Sequence, residues 1–304
     1  MSQFLQQLVN GLVLGATYGL IALGYTMVYG IIQLINFAHG EIFMLGAFGG
    51  LTMWKALPTG LQARTYLALP LVLLAGVVTS TVVAVLMERW AYRPLRGAPR
   101  LAPLITAIGV SVFLQEAVRV FYPGAKGPLA FPALFTGKSI TIGGVEIKYV
   151  SIFVVALAVA LMVSLQGFVR TSSTGRAMRA TAQDPDTAAL MGIDINRIIV
   201  ITFVLGGVLA GVAGVLTGMQ YGAIDVKIGY IAGLKAFTAA VLGGIGNITG
   251  AVLGGFLIGI IEALGTQYLP QGSAYKDAYA FVVLILVLVF RPTGLLGESV
   301  AARA

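Results

Sequence analysis

The sequence predicts an all-α protein, a polytopic transmembrane helical bundle of about eight or nine spans in which one or two helices are broken or re-entrant. Three observations lead there. Of the 304 residues, 58% are hydrophobic and only 10% are charged, against about a quarter charged in a soluble domain; the mean hydropathy is +0.95. Apolar runs long enough to cross about 30 Å of hydrocarbon as helix recur along the whole chain. These runs are apolar on every face, as in Ala278 to Phe290, whereas barrel strands alternate apolar and polar residues over about ten positions.

About nine segments satisfy the length criterion. The first, 4–30, follows a stretch, Met1 to Asn10, with no Lys or Arg; it lacks the charged region of a signal peptide and is expected to stay in the mature protein. The second, 38–56, and the seventh, 228–246, are Gly-rich and flanked by turn residues, and are the candidates for broken or re-entrant helices. The third, 66–87, runs into Arg89, Arg93, Arg96 and Arg100. The fourth, 101–121, carries Glu116 and Arg119 one helical turn apart, spaced to form a structural ion pair. A long polar loop with Lys126, Lys138 and Lys148 precedes the fifth, 149–169, which ends at a second cluster of Arg170, Arg176, Arg179 and Arg197. The sixth, 198–219, the eighth, 249–268, and the ninth, 277–291, complete the series. Lys and Arg close to span ends are retained in the cytoplasm. Both arginine clusters and the tail with Arg291 and Arg303 therefore belong inside, and nine crossings put the N-terminus outside.

Forty glycines recur at four-residue spacing within spans: Gly11, Gly15 and Gly19; Gly207 and Gly211; Gly214 and Gly218; Gly250 and Gly254; Gly255 and Gly259. Small residues on one helical face let backbones approach closely. The absence of cysteine excludes disulfides, thiol nucleophiles and thiolate metal sites. The net charge of +8 is spread over loops and does not form a stripe, so it reads as topology and not as nucleic-acid binding. A single His, no paired carboxylates within one turn of a span and no phosphate loop of the Gly-x-x-x-x-Gly-Lys type argue against an enzyme and against ATP hydrolysis by this chain.

One polar segment, Gly175 to Asp194, interrupts the apolar sequence. Within it Asp184 can cap free N–H groups, Pro185 suits the first helical position, and Asp186 complements the positive end of the helix dipole. Gly192 can end the helix in a left-handed conformation. The result is a helix of about two turns with Ala188, Ala189, Leu190 and Met191 available for burial. A helix that short is marginal alone and needs a partner, either the bundle's own cytoplasmic face or a separate protein.

Asp186-Thr187-Ala188 followed by Gly192 resembles the Glu-Ala-Ala, three residues, Gly core of the coupling loop in bacterial ABC-transporter permeases, although the apolar Ile201 to Val204 lacks the proline of the fuller motif. Asn36-Phe37-Ala38-His39-Gly40-Glu41, followed by Met44-Leu45-Gly46-Ala47, resembles the signature of branched-chain amino acid permeases, as do Gly175 to Asp194 and the Gly243-Gly244-Ile245-Gly246-Asn247 turn. The resemblance spans essentially the whole chain and is to the smaller of two paired permease types. It implies one transmembrane permease domain over 1–304 with a cytoplasmic coupling loop at 170–197, in a bacterial inner membrane. The implied partners are a second homologous permease subunit, two cytoplasmic ABC ATPases and an extracytoplasmic substrate-binding protein, with no nucleic acid. No cofactor is implied in this chain; ATP and Mg belong to the partner ATPases. Gly175, Arg176, Arg179, Asp184, Pro185, Asp186, Ala188, Ala189, Leu190, Met191 and Gly192 are the implied coupling residues.

For substrate passage the candidates are Asn36, His39, Glu41, Lys235, Gly246, Asn247 and Glu262. Ionisable groups at membrane depth point to function. The first three are placed near the cytoplasmic surface, either as a gate or as a plain helix start, with Asn36 as cap, Glu41 on the dipole and His39 on a carbonyl. Lys235 and Glu262 flank the Gly246 to Gly250 turn, and unwound Gly-rich helix ends can offer backbone donors and acceptors to a zwitterion. The expected function is import of leucine, isoleucine and valine by alternating access, driven by the partner ATPases. The same framework carrying urea, short amides or other amino acids, and a secondary transporter driven by an ion gradient, are the alternatives; no filter signature supports a channel.

Overall fold

The computed structural model describes residues 2–99, 101–135 and 139–297; Arg100, Lys138 and Arg303, used above for orientation, lie outside them. The helices are α1 (Ser2–Ile32), α2 (His39–Ala56), α3 (Thr59–Gln62), α4 (Thr65–Met87), α5 (Leu101–Phe121), α6 (Tyr149–Thr171), α7 (Ser173–Gln183), α8 (Pro185–Leu190), α9 (Ile195–Tyr221), α10 (Ile228–Gly243), α11 (Ile248–Tyr268) and α12 (Lys276–Phe290). Each of the predicted apolar segments is a single helix, so the all-α polytopic reading holds. Six helices are long and apolar enough to cross a membrane on their own; α2, α10 and α12 are not among them. Their 18, 16 and 15 residues rise about 1.5 Å each, short of the roughly 30 Å hydrocarbon layer.

Two small β ribbons were not anticipated. β1 (Leu129–Ala130) pairs antiparallel with β4 (Ala223–Ile224), and β2 (Ser139–Ile142) with β3 (Val145–Lys148). Gly143 and Gly144, at φ +58° and +81°, make the two-residue turn that a right-twisted hairpin requires. What reads as one outer loop thus carries its own hydrogen-bonded structure. The Gln6 side chain bonds both the N–H and the carbonyl of Glu146, and Gln7 bonds Gln267. The start of α1, the ribbons and the end of α11 therefore share one end of the bundle, here the ribbon end; α7 and α8 lie at the other.

α1 and α9 form the interior, while α4, α5 and α6 present mostly exposed apolar faces. Two glycine seams set how close the helices lie. In the first, α1 runs antiparallel to α11: a Cβ on Gly15 would sit 2.6 Å from the Phe256 Cα, and one on Gly255 2.5 Å from the Gly19 Cα. In the second, α2, α4 and α9 meet at Gly46, Gly76 and Gly211, where a Cβ on Gly46 would lie 2.6 Å from the Gly211 Cα. Ser80 donates to the Ile42 carbonyl at 2.8 Å across the same seam. Without water to drive helices together, such backbone contact supplies the packing energy.

Overpacking a seam costs about 1–3 kcal/mol or more. Gly259→Val, at the α1–α11 contact, should lower the thermal unfolding temperature of the purified protein in mild detergent. Gly109→Ala, where nothing lies within 4 Å, should leave it unchanged.

Candidate functional site

The α10–α11 pairing fixes the position of the central ion cluster. Gly243 abuts Gly250 and Ala239 abuts Gly254, so one face of α10 continues at Lys235 and the facing stripe of α11 continues through Ile258 to Glu262. Side chains lean toward the N-terminus of their own helix. Lys235 therefore points toward the ribbon end, where α10 begins and α12 also starts. Its Nζ lies 2.7 Å from the Glu262 Oε1, 2.6 Å from the Asp277 Oδ1 and 3.4 Å from the Tyr18 hydroxyl. The Tyr18 hydroxyl donates to the Glu262 Oε2 at 2.9 Å. The contact with Asp277 is a close ion pair without hydrogen-bond alignment, and that Oδ1 has no aligned donor. Lys235 and Glu262 are buried.

These four residues line a cavity of about 510 Å³. Asp225, Lys227 and Lys276 line the same space, so side chains of both signs face it. It reaches the ribbon end past Asn10, Pro128 and Tyr221, and its wall is apolar, with Val13, Leu14, Ile224, Ile228, Ile231 and Ala232; Phe43 of α2 forms part of its floor. A volume of this order holds a small organic molecule. Its combination of apolar wall, ammonium and two carboxylates suits a zwitterion with an aliphatic side chain.

The side chains of Asn36, His39 and Glu41 are enclosed by neighbouring helices, each about 1% exposed, although the preceding Gln33 is exposed. Asn36 does not cap α2. Its Oδ1 accepts from the Ala38 N–H at 3.0 Å and the Tyr92 hydroxyl at 2.9 Å, and Ala38 holds the cap position without a side-chain bond. His39 packs edge-on against Tyr25, with ring centroids 4.9 Å apart, in a notch opened by Gly24 and Gly206. Glu41 accepts from Ser111 at 3.2 Å through Oε1. The helix α2 begins inside the bundle because α1, α9 and α10 surround its first turn.

At the opposite end from the ribbons, Asn247 caps α11, its Oδ1 accepting from the Gly250 N–H at 3.0 Å and its Nδ2 donating to the Leu296 carbonyl. Gly246 takes φ +95° beside it. These two residues do not join Lys235 and Glu262. The helix in the polar loop forms as read: the Asp184 Oδ1 accepts from the Asp186 and Thr187 N–H groups, Pro185 occupies the first turn, and Gly192 at φ +83° lets the Ile193 N–H reach the Ala188 carbonyl. Only Ala188 of its apolar set is buried; Ala189 is exposed, and Leu190 and Met191 are 87% and 79% exposed. Gly175 is tucked against the Phe168 and Val169 carbonyls, and Arg176 and Arg179 donate to the Thr171 and Val169 carbonyls at the end of α6. Glu116 and Arg119 form the expected pair at 2.8 Å.

The candidate residues thus fall in three places: the cavity, the buried start of α2, and the α8 end. Sequence reading missed Tyr18 and Asp277, which come from α1 and α12 and carry no motif.

Comparison with known proteins now bears on this arrangement. The model of the family described as branched-chain amino acid transport system / permease component matches residues 7–288. The chain belongs to this family. It is 50% identical to the high-affinity branched-chain amino acid transport system permease protein BraD of Pseudomonas aeruginosa, over 97% of this chain and 96% of that one. It is 46% identical to the permease proteins LivH of Salmonella typhimurium and of Escherichia coli, again over 97% of this chain and 96% of each relative. Within this permease family the chain's own cavity and ion cluster become the natural place to look for substrate contact.

Removing one partner of a buried ion pair costs about 3–5 kcal/mol, because the charge left behind is uncompensated. Lys235→Met should therefore destabilise the detergent-solubilised protein strongly. The double variant Lys235→Met, Glu262→Gln should recover part of that loss, a coupling readable in a double-mutant cycle of thermal stabilities.

Proposed function

We propose that this chain is the membrane-spanning permease subunit of an ATP-driven importer for leucine, isoleucine and valine. The observation that carries the substrate assignment is the Lys235, Glu262, Asp277 and Tyr18 cluster set in the apolar wall of the cavity. In this reading the substrate's carboxylate approaches Lys235 while its ammonium approaches Asp277 and Glu262, and the branched side chain lies on Leu14, Ile228 and Ile231. The names of the relatives support the same substrate class.

The whole of 1–304 acts as one permease domain with the coupling loop at 170–197. It sits in a bacterial inner membrane as eight or nine segments, α2 and α10 being re-entrant or partial spans, with the ribbon end outside and the arginine clusters and C-terminus inside. The cavity then opens toward an extracytoplasmic binding protein. The exposed Leu190 and Met191 on α8 dock onto a partner ATPase, with Arg176 and Arg179 holding α7 in place behind it. A second homologous permease and two ATPases complete the assembly. ATP and Mg are bound by the ATPases, whose closure on α8 switches the bundle between outward-open and inward-open states.

The test is uptake by the chain reconstituted with its partner subunits and binding protein in vesicles. The expected result is leucine uptake that needs ATP and the binding protein, is competed by isoleucine and valine, and persists when ionophores collapse proton and sodium gradients. Uptake that needs a gradient and no ATP would overturn the reading. In the same preparation Leu190→Glu should abolish co-purification of the ATPase while leaving the thermal stability of this chain unchanged.

A further inference from the structure

The start of α2 concentrates unsatisfied polar groups to an unusual degree. Among the described residues, the buried side-chain atoms without a hydrogen-bond partner include the Asn36 Nδ2 and the Glu41 Oε2, within six residues of chain, while the His39 ring meets the Ile21 carbonyl without good alignment at Nε2. A buried polar group left without a partner costs about 1–3 kcal/mol, and a charged one more. Such groups in a native protein call for an explanation. Apolar substitutes of similar size would relieve the cost, and none is present.

Their surroundings suggest what they serve. The α2 and α10 helices cross antiparallel at glycines: a Cβ on Gly233 would lie 3.0 Å from the Gly40 Cα, and a Cβ on Gly229 would lie 2.6 Å from both the Gly40 carbonyl oxygen and the Glu41 Oε2. The free carboxylate oxygen thus faces Gly229 in the first turn of α10. Two residues further along α2, Phe43 belongs to the floor of the cavity, and Ile228, Ile231 and Ala232 of α10 line it as well. The same two helix starts therefore present an apolar surface to the cavity and polar side chains behind it. The crossing between them has no side chain at Gly40, Gly229 or Gly233 to interlock.

We propose that Glu41, with His39 and Asn36 beside it, forms a second, inner subsite for the α-ammonium group of the substrate, closed off here by the Gly40 to Gly233 crossing. When α2 and α10 part, the ammonium passes from Asp277 and Glu262 to Glu41, and the Asn36 Nδ2 and the poorly aligned His39 Nε2 take up polar contacts with the substrate or its remaining water. The inference rests on the cavity being the substrate's route. It adds a relay: one carboxylate pair receives the amino acid at the ribbon end, and a single carboxylate holds it deeper in the bundle.

The test uses the complete transporter in vesicles and reads the ratio of substrate moved to ATP hydrolysed. Glu41→Gln keeps the size and the Ser111 bond but removes the charge. It should lower leucine uptake by about tenfold or more, as loss of a charge-assisted contact predicts, while hydrolysis stimulated by the loaded binding protein stays within about twofold of wild type. Glu41→Asp keeps the charge and should restore part of the ratio. A normal ratio in both variants would overturn the subsite. So would a Gln variant whose uptake and hydrolysis fall in proportion, since that is the signature of a purely structural group. Failure of the wild-type complex to move leucine would instead remove the cavity reading on which the subsite depends.

Discussion

Close backbone contact between helices is the constraint on which the rest of this structure depends. In lipid the apolar side chains gain little by burial against one another, so helices must gain by approaching until main-chain atoms touch. Gly15 against Phe256, Gly255 against Gly19, and Gly46 against Gly211 do this here. The seams bring α1, α9 and α11 near enough for Tyr18 and Glu262 to bond across sequence separations of more than two hundred residues. They also hold α10 where a lysine can reach two carboxylates. The meeting of Tyr18, Lys235 and Glu262 follows from spacing that a Cβ would forbid.

The cavity shows the opposite economy. Lys235, Glu262 and Asp277 are partnered with one another, and they come from three helices, α10, α11 and α12. A buried ion pair of this kind adds little net stability compared with an apolar replacement. In the proposed reading, these charges, in a protein with only 10% charged residues, serve the ligand and not the fold.

Much of the architecture was legible in the sequence because a membrane simplifies the problem. A run of apolar residues bounded by Arg or turn residues has few options besides helix, and every predicted segment became one. The short helix at Asp184 to Met191 was legible for a local reason: cap, proline and terminal glycine all act within a few residues. Lys235 and Glu262 were visible as ionisable groups in apolar surroundings. Tyr18 and Asp277 were not, because only tertiary packing brings α1 and the start of α12 to them. The enclosure of the Asn36, His39 and Glu41 side chains was missed for a different reason. Charge and turn residues normally mark a surface, and the sequence does not reveal that α1, α9 and α10 close over this turn. The β2–β3 ribbon was legible: Ile140 and Ile142, then Val145 and Ile147, alternate with polar neighbours about Gly143-Gly144, a hairpin signal that reading the segment as a plain outer loop passed over. The two-residue β1 and β4 are too short to announce themselves.

The corner between α6 and α7 has a mechanical consequence. The last carbonyls of α6, at Val169 and Thr171, are taken by Arg179 and Arg176 of α7, and Gly175 lets the two helices meet without a side chain between them. Both guanidinium groups are exposed, so water screening leaves each bond worth about 1 kcal/mol or less, and the close seat of Gly175 on the Phe168 and Val169 carbonyls does the rest of the holding. The α7 helix also touches α1 and α9. A push on α8 is thus not absorbed by a floppy loop. It arrives at α6, α1 and α9 as the displacement of a stiff crank, and the arginines that first drew notice as markers of sidedness also set the compliance of the joint.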